Sequence, residues 1–425
     1  MARRYLHHLT FPVCTTLLVS ACQHLPGSFP GLPKPDIETH RFEVNGDVIG
    51  KLAVIPVNAG DTLPDVARHF ALGHDALTAA NPDVDVWLPE SGQQVVLPLK
   101  FLLPDAPRQG VVLNLASMRL FYYAAHSPDT VITYPVGIGR QGWSTPQGNM
   151  RVIEKMTNPV WRVPVSIRRE HADNGDPLPA VVPAGPENPL GEHAVRLSRP
   201  SYLIHSTNKP YGVGMRISHG CIRLYPENMR ALFPALELGT AVNIVDQPYL
   251  VGWQDGVLYL EAHKPLAEKG GRSLRAVLKS RLVQMELMHK LDIDWERVED
   301  TLVREQGIPI RISAGSAGNT NPTRVAHPGR LRGAPVVPPF DESAWYVEAG
   351  VFDRSRPALR IAAMLNHQGP PIPARVLNRD GRFRIWAGPY LQRGDAQAAA
   401  QRIGRDLYLE TRLQPPAHSR VTINK

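Results

Sequence analysis

The spacing of apolar residues changes several times along this chain, and each change marks a boundary. A short basic start at Arg3 and Arg4 leads into an apolar run from Leu9 to Val19, too short to span a bilayer. Gln23 to Pro35 is rich in Pro and Gly and has little to bury, the composition of a tether. From Arg41 to Ile55 apolar and polar residues alternate around Asn45-Gly46, which predicts a hairpin. The period then lengthens. Asp61 or Thr62 caps a helix carrying Val66, Ala67 and Phe70, and a second short helix carries Leu77 and Ala80 and stops at Asn81-Pro82. "QQVVLP" closes this unit as a strand.

Gly110 to Gln247 returns to short apolar stretches punctuated by Gly and Pro, among them "VVLNLASMRLFYY", "VITYPVGIG", "YLIHST" and "AVNIV". That pattern predicts a mainly β domain, a sandwich or barrel. After "GVLYLEAHKPL" the period becomes helical. Leu274, Val277, Leu278, Leu282 and Met285 share one face; Trp295, Val298 and Leu302 share another, behind a capping Asp294. A two-helix appendage packed on the preceding domain is expected. Ser313 to Phe340 holds Arg324, Arg330 and Arg332 and no acid, which predicts a flexible basic linker. The last segment nearly repeats itself: "WYVEAGVF" precedes "RPALRIAAMLNHQG", and "RFRIWAGPY" precedes "RGDAQAAAQRIGRDL". Each half reads as strand, turn and helix.

The predicted organisation is an export signal (1–21), a tether (22–40), a hairpin plus small α+β module (41–104), a mainly β catalytic domain (110–247), a strand and helical extension (248–312), a linker (313–342) and an α/β domain (343–415). A chain of 425 residues is too long for one ordinary domain. The net charge is +8, or +6 without Arg3 and Arg4. This modest basic excess suits anionic lipid or wall polymer, and export argues against nucleic acid as a partner.

The chain has three cysteines. Cys14 leaves with the signal. Val19-Ser20-Ala21-Cys22 resembles a bacterial lipobox, which implies a lipid on Cys22 and a membrane anchor; Gln23 after it favours the outer membrane. Cys221 then has no intramolecular disulfide partner. It sits in "RISHGCIRL", two residues after His219, and His205 lies sixteen positions upstream in "YLIHSTN". On a strand, His219 would share a face with Cys221. An imidazole beside a thiol promotes its ionisation, Gly220 leaves the backbone uncrowded for amides facing an oxyanion, and Arg223 adds a fixed cation. Three other readings remain open on the residues alone: an inert buried thiol, a zinc site of His205, His219 and Cys221 without an obvious fourth ligand, and a non-catalytic wall anchor.

"IHSTN" with "SHGCIRL" resembles the signature of YkuD-type L,D-transpeptidases. "STPQGNMRV" resembles that family's T-P-x-G element, "NPLGEHAVRLS" its N-P-L-G element, and "VDQPYLVGWQDGVLYLEAH" the strand tail of its branch with an N-terminal LysM-like unit. The resemblance implies a YkuD-like β-sandwich with Cys221 as nucleophile, His205 as base and His219 lining the site. Ser206, Ser218, Gly220 and Arg223 would serve substrate or oxyanion. It implies no metal and no cofactor. Attack on the diaminopimelate carbonyl of a tetrapeptide stem would release D-Ala and pass the acyl group to an amine, in a 3→3 cross-link or on an outer-membrane lipoprotein lysine; transfer to water would make the protein a carboxypeptidase. The stretch "GDTL…ANP…V.LP" resembles a LysM glycan-binding module. Residues 343 to about 414 resemble a βαββαβ SPOR domain, with Glu348 where Gln is common. SPOR domains bind peptidoglycan glycan strands stripped of stem peptides, which implies periplasmic location and enrichment at the division septum.

Overall fold

In the computed structural model, residues 35, 37–266, 271–314 and 321–417 are described. The expected export signal, Cys22 and most of the expected tether lie outside them. Among the described residues no helix is long and apolar enough to cross a membrane.

The period-two stretches after Gly110 assemble one nine-stranded sheet. Its order is Arg41–Glu43, Thr130–Pro135, Arg119–Tyr123, Gly110–Asn114, Ala241–Val245, Gly148–Thr157, His193–Leu197, Leu203–His205 and Ile222–Arg223. Neighbours are antiparallel except at two places: Ala241–Val245 runs parallel to Gly110–Asn114, and Ile222–Arg223 parallel to Leu203–His205. The central strands are apolar on both sides because both sides are covered. Val111 and Leu113 pack with Ile204, Ile222 and Met229 of the helix Pro226–Leu232. Val112 and Phe121 face the other way, onto Phe70, Leu72 and Leu97 of the small module. The helices and strands of the small module together cover that second face.

The small module contains the helices Leu63–His69 and His74–Ala80, the first capped by the Thr62 hydroxyl, beside the antiparallel pair Ala53–Pro56 and Gln94–Leu97. The expected hairpin around Asn45-Gly46 does not form. Arg41–Glu43 extends the large sheet by pairing with Thr130–Pro135, and Val48–Gly50 pairs instead with Lys100–Leu102. Asp47 holds the crossing between them: its carboxylate accepts the Trp253 amide (2.8 Å) and pairs with Arg108 (2.6 Å). Arg119, fully buried, ties the module to the sheet by donating to the Ala71 carbonyl (3.0 Å) and stacking over Phe101.

The strands Tyr249–Gln254 and Val257–Ala262 pair and carry the helices Gly271–His289 and Trp295–Arg304, with Leu258, Leu260, Leu278, Leu282, Val298 and Leu302 between them. The appendage is as expected, including the Asp294 cap, but Val277 is exposed and off the packed face.

The segment expected to be a loose linker is in large part packed. Thr323 and Arg324 add a parallel strand to Ala53–Pro56, Val325 and Leu331 are buried in the small module's core, and His327 meets Asp61 at 2.9 Å. The C-terminal elements follow as strand Trp345–Phe352, helix Ser355–Asn366, strands Ala374–Arg379 and Arg382–Tyr390, helix Arg393–Leu407 and strand Arg412–Gln414, around Val347, Leu365, Ile385 and Ile403. They dock on the rest of the chain through His367. This buried residue lies 2.9 Å from Asp65 and 3.2 Å from the Thr62 hydroxyl, with Tyr211 and Trp87 edge-on to its ring. Arg356 and Arg360 both reach Asp85, and Arg405 pairs with Asp176 at 2.5 Å.

Candidate active site

His205 and Arg223 come together through strand register, and Cys221 lies two residues before Arg223. In the parallel pair, Ile204 is level with Ile222 and His205 with Arg223. Both isoleucines are fully buried in the core below. Side chains alternate along a strand, so His205 and Arg223 project from the face opposite those isoleucines, and Cys221 directly precedes the second strand. The Cys221 sulfur lies 3.7 Å from the Ser201 carbonyl and is faced by the Leu203 amide.

The turn before the thiol is fixed by two hydroxyls. Ser218 Oγ donates to the Cys221 carbonyl (2.6 Å) and accepts the Gly220 amide (3.1 Å). Thr145 Oγ1 donates to the Gly220 carbonyl and accepts the Gly139 amide, both at 2.9 Å. Gly220 has φ +101°, and a Cβ there would meet the Tyr202 ring at 2.8 Å. Only glycine suits that conformation and that contact. These bonds involve three residues assigned to substrate or oxyanion. The Gly220 amide donates to Ser218. Ser218 is enclosed in the turn it shapes. Ser206 is buried beside Gly191, where an added Cβ would lie 2.7 Å from its Oγ, and it is the Ser206 carbonyl that approaches His205.

His205 Nδ1 lies against that carbonyl, which only accepts, so Nδ1 carries the proton and Nε2 keeps its lone pair. The Leu190 carbonyl also faces the ring. Leu190 is held by Asn188, whose side chain accepts the Leu190 amide (2.9 Å) and donates to the Pro159 carbonyl (2.8 Å).

His219 faces a different set of partners. Between the paired strands Trp161–Arg162 and Val181–Val182 the chain makes an excursion containing the helix Val165–Asp173. From this helix Glu170 reaches His219 Nε2 at 3.1 Å and also pairs with Arg140. Arg140 Nη2 is itself 3.2 Å from His219 Nε2, and Trp143 sits edge-on to the imidazole. His205, His219 and Cys221 therefore do not gather as a ligand set, and among the described residues no three His, Cys, Asp or Glu side chains do.

Residues 108–244 match the model of the YkuD L,D-transpeptidase catalytic domain, and residues 341–408 that of the SPOR domain. The probable L,D-transpeptidase ErfK/SrfK of Salmonella typhimurium is 40% identical over 269 residues, 62% of this chain and 86% of that protein. The probable L,D-transpeptidase YcfS of Escherichia coli is 43% identical over 217 residues, 50% of this chain and 68% of that protein. The probable L,D-transpeptidase YbiS of Escherichia coli is 36% identical over 274 residues, 63% and 89% of the two chains. The chain belongs to the L,D-transpeptidase family.

In this L,D-transpeptidase the site rests uncharged at its centre. Burial first, then the nearby Arg223 cation, depresses the His205 imidazole to about 3, against the pull of the two carbonyls. Burial also raises the Cys221 thiol, although the Leu203 amide, Arg223 and Arg196 favour the thiolate. Arg223 is itself buried, its Nε without a hydrogen-bond partner, and burial lowers its pKa while Cys221 opposes. Burial lowers the pKa of His219, with Glu170 acting against the shift. Sequence reasoning missed Thr145 as a turn clamp, Asn188 as the support of Leu190, and the Glu170–Arg140 pair. The first two lie in the T-P-x-G and N-P-L-G elements, where a structural reading of the motif finds them. Glu170 sits on a mostly exposed helix, where a carboxylate gives no signal.

Proposed function

We propose that the site carries out acyl transfer on peptidoglycan stem peptides, with Cys221 as nucleophile and His205 as general base. The observation that carries this reading is that His205 stands level with Arg223, two residues after Cys221, and that the Arg223 cation acts on both groups. The neutral thiol attacks the carbonyl of the L-centre of diaminopimelate in a tetrapeptide stem, and its proton passes to His205 Nε2 as the S–C bond forms. With the Gly220 amide committed, the oxyanion rests on the Cys221 amide, and Arg223 steadies the developing charge. Collapse breaks the C–N bond to D-Ala, whose amine leaves with the proton held by His205, and a thioester remains. An acceptor amine then adds to the thioester, gives its proton to His205, and releases the thiol. The acceptor is a second diaminopimelate or a lipoprotein lysine. Arg223 is read as an electrostatic support because its unpartnered Nε carries a fixed positive charge near both reacting groups.

The wider organisation follows the same reading. Lipidated Cys22 ties the enzyme to the outer membrane, facing the periplasm. The unit from residue 58 to 103 has a LysM-like fold, used here for docking, since its helices carry the core shared with the catalytic sheet. The strand–helix–strand–strand–helix–strand order after Trp345 is a SPOR fold that places the enzyme on denuded septal glycan. Incubation with a tetrapeptide donor and no amine acceptor, followed by intact-mass spectrometry, tests the chemistry. A Cys221 adduct equal to the donor less D-Ala, absent from Cys221→Ala, is expected. Absence of both adduct and cleaved donor in the unaltered enzyme would overturn it.

A further inference from the structure

Arg140, a fixed cation, and the His219 imidazole form a niche that the enzyme fills with its own carboxylate. Arg140 is fixed at its base: its amide donates to the Ser218 carbonyl (3.0 Å), and a Cβ on the preceding Gly139 would lie 3.0 Å from the Gly220 Cα. The Arg140 backbone is therefore anchored against the residue that precedes Cys221. His219 is held edge-on by Trp143 at 4.9 Å. Glu170 enters this niche from the excursion helix, with one carboxylate oxygen on Arg140 and the other on His219. That helix has little else to hold it. Of its nine residues only Ile167 is buried, and it is tied to the remainder of the chain by few side chains.

A planar guanidinium beside a ring nitrogen is a geometry that receives a carboxylate on two sides. A fixed receptor filled by a residue on a weakly packed helix is suited to exchange. We infer that Arg140 and His219 make up a substrate-carboxylate subsite, and that Glu170 is its resident stand-in, displaced when a donor stem binds. The inference rests on the proposed acyl-transfer reading. It names the substrate class more closely: a donor whose carboxylate lies next to the attacked carbonyl. Such a stem offers two sources, the C-terminal carboxylate of the leaving D-Ala and the side-chain carboxylate of diaminopimelate. Arg140 is a specificity residue in this scheme, and Glu170 a positioning residue that closes the excursion over an empty site.

The test measures binding separately from chemistry. Calorimetry on Cys221→Ala protein would use three peptides: the free tetrapeptide stem, its C-terminal amide, and the stem amidated on the diaminopimelate side chain. With Arg140 present, one of the two amides should bind about tenfold more weakly than the free stem, the size expected for a charge-assisted hydrogen bond, and which amide does so identifies the carboxylate. Arg140→Ala should bring that discrimination within about twofold, and Arg140→Lys should restore part of it. Glu170→Gln should tighten binding of the free stem severalfold by removing the competitor. Discrimination that survives Arg140→Ala, or no discrimination at all in the parent, would overturn the subsite. Turnover of the free stem by enzyme with Cys221 intact, run alongside, tests the acyl-transfer reading by itself: normal discrimination without turnover would overturn that reading and leave the subsite standing.

Discussion

His205 and Arg223 occupy level positions on adjacent parallel strands, and Cys221 lies two residues before Arg223, just ahead of the second strand. Residues 206–221 join these strands and end in the turn held by Ser218 and Thr145, so the position of the thiol depends on that turn as well as on the register. The same arrangement explains the resting electrostatics. Burial, with the nearby guanidinium, keeps the imidazole neutral, so no imidazolium is present to stabilise a resting thiolate.

The first prediction concerns thiol reactivity. With its pKa raised by burial, Cys221 has a smaller thiolate fraction at neutral pH than a free cysteine. Its alkylation by iodoacetamide should therefore rise with pH and reach its midpoint above the ordinary thiol range of about 8.5. His205, depressed to about 3, should produce no inflection between pH 5 and 7. A plateau of rapid alkylation already at pH 6 would show a resting thiolate–imidazolium pair instead.

The same histidine makes a stability prediction. Its folded pKa lies below its unfolded value of about 6.5, so the unfolded chain binds the extra proton in that window. Its contribution is fully present above about 6.5 and is lost as the pH falls toward about 3. His69, depressed to about 4 chiefly by burial, acts in the same direction. Denaturant midpoints measured from pH 7 to pH 4 should fall, and the slope should be shallower in His205→Gln. An unchanged slope in that variant would contradict the assignment.

The turn before Cys221 should be sensitive to its hydroxyls. Ser218→Ala strips a partner from the buried Gly220 amide and the Cys221 carbonyl, at a cost of about 1–3 kcal/mol. Thr145→Ser keeps the clamp on Gly139 and Gly220, and Thr145→Ala removes it. Turnover of the tetrapeptide donor should fall at least about tenfold in both alanine variants and by much less in Thr145→Ser. Full activity in Ser218→Ala would show that the turn is held by other means.

Docking of the C-terminal domain is open to a double-mutant cycle. Asp65 and His367 meet at 2.9 Å in a fully enclosed contact. Asp65→Asn and His367→Gln, singly and together on the full chain, should show a coupling of about 1 kcal/mol or more in denaturant unfolding. Additivity within about 0.3 kcal/mol would mean that the two domains do not pair there.

Much of this was legible in the sequence, for reasons that differ by element. Cys221, His205 and the strands around them were readable because short apolar stretches and a tight motif encode them locally. The hairpin at Asn45-Gly46 was misread because alternation says that a strand forms but not which edge it joins; both strands found distant partners. The stretch from Ser313 to Phe340 was misread from composition, although Val325 and Leu331 are enough apolar surface to seat it. Position in the motif assigns Ser206, Ser218 and Gly220 to substrate or oxyanion; the hydrogen bonds they make to the backbone beside Cys221 and His205 are not legible in the sequence. Glu170 was invisible for the opposite reason: a carboxylate on an exposed helix looks like any solvated face until its partners are seen.

The most direct test of the account is mass spectrometry of purified tetrapeptide muropeptides after incubation with the enzyme, beside Cys221→Ala and His205→Gln. The account predicts loss of D-Ala with formation of a cross-linked dimer, absent in Cys221→Ala and slowed by about 10²–10⁴-fold in His205→Gln. D-Ala loss that persists in Cys221→Ala would contradict it.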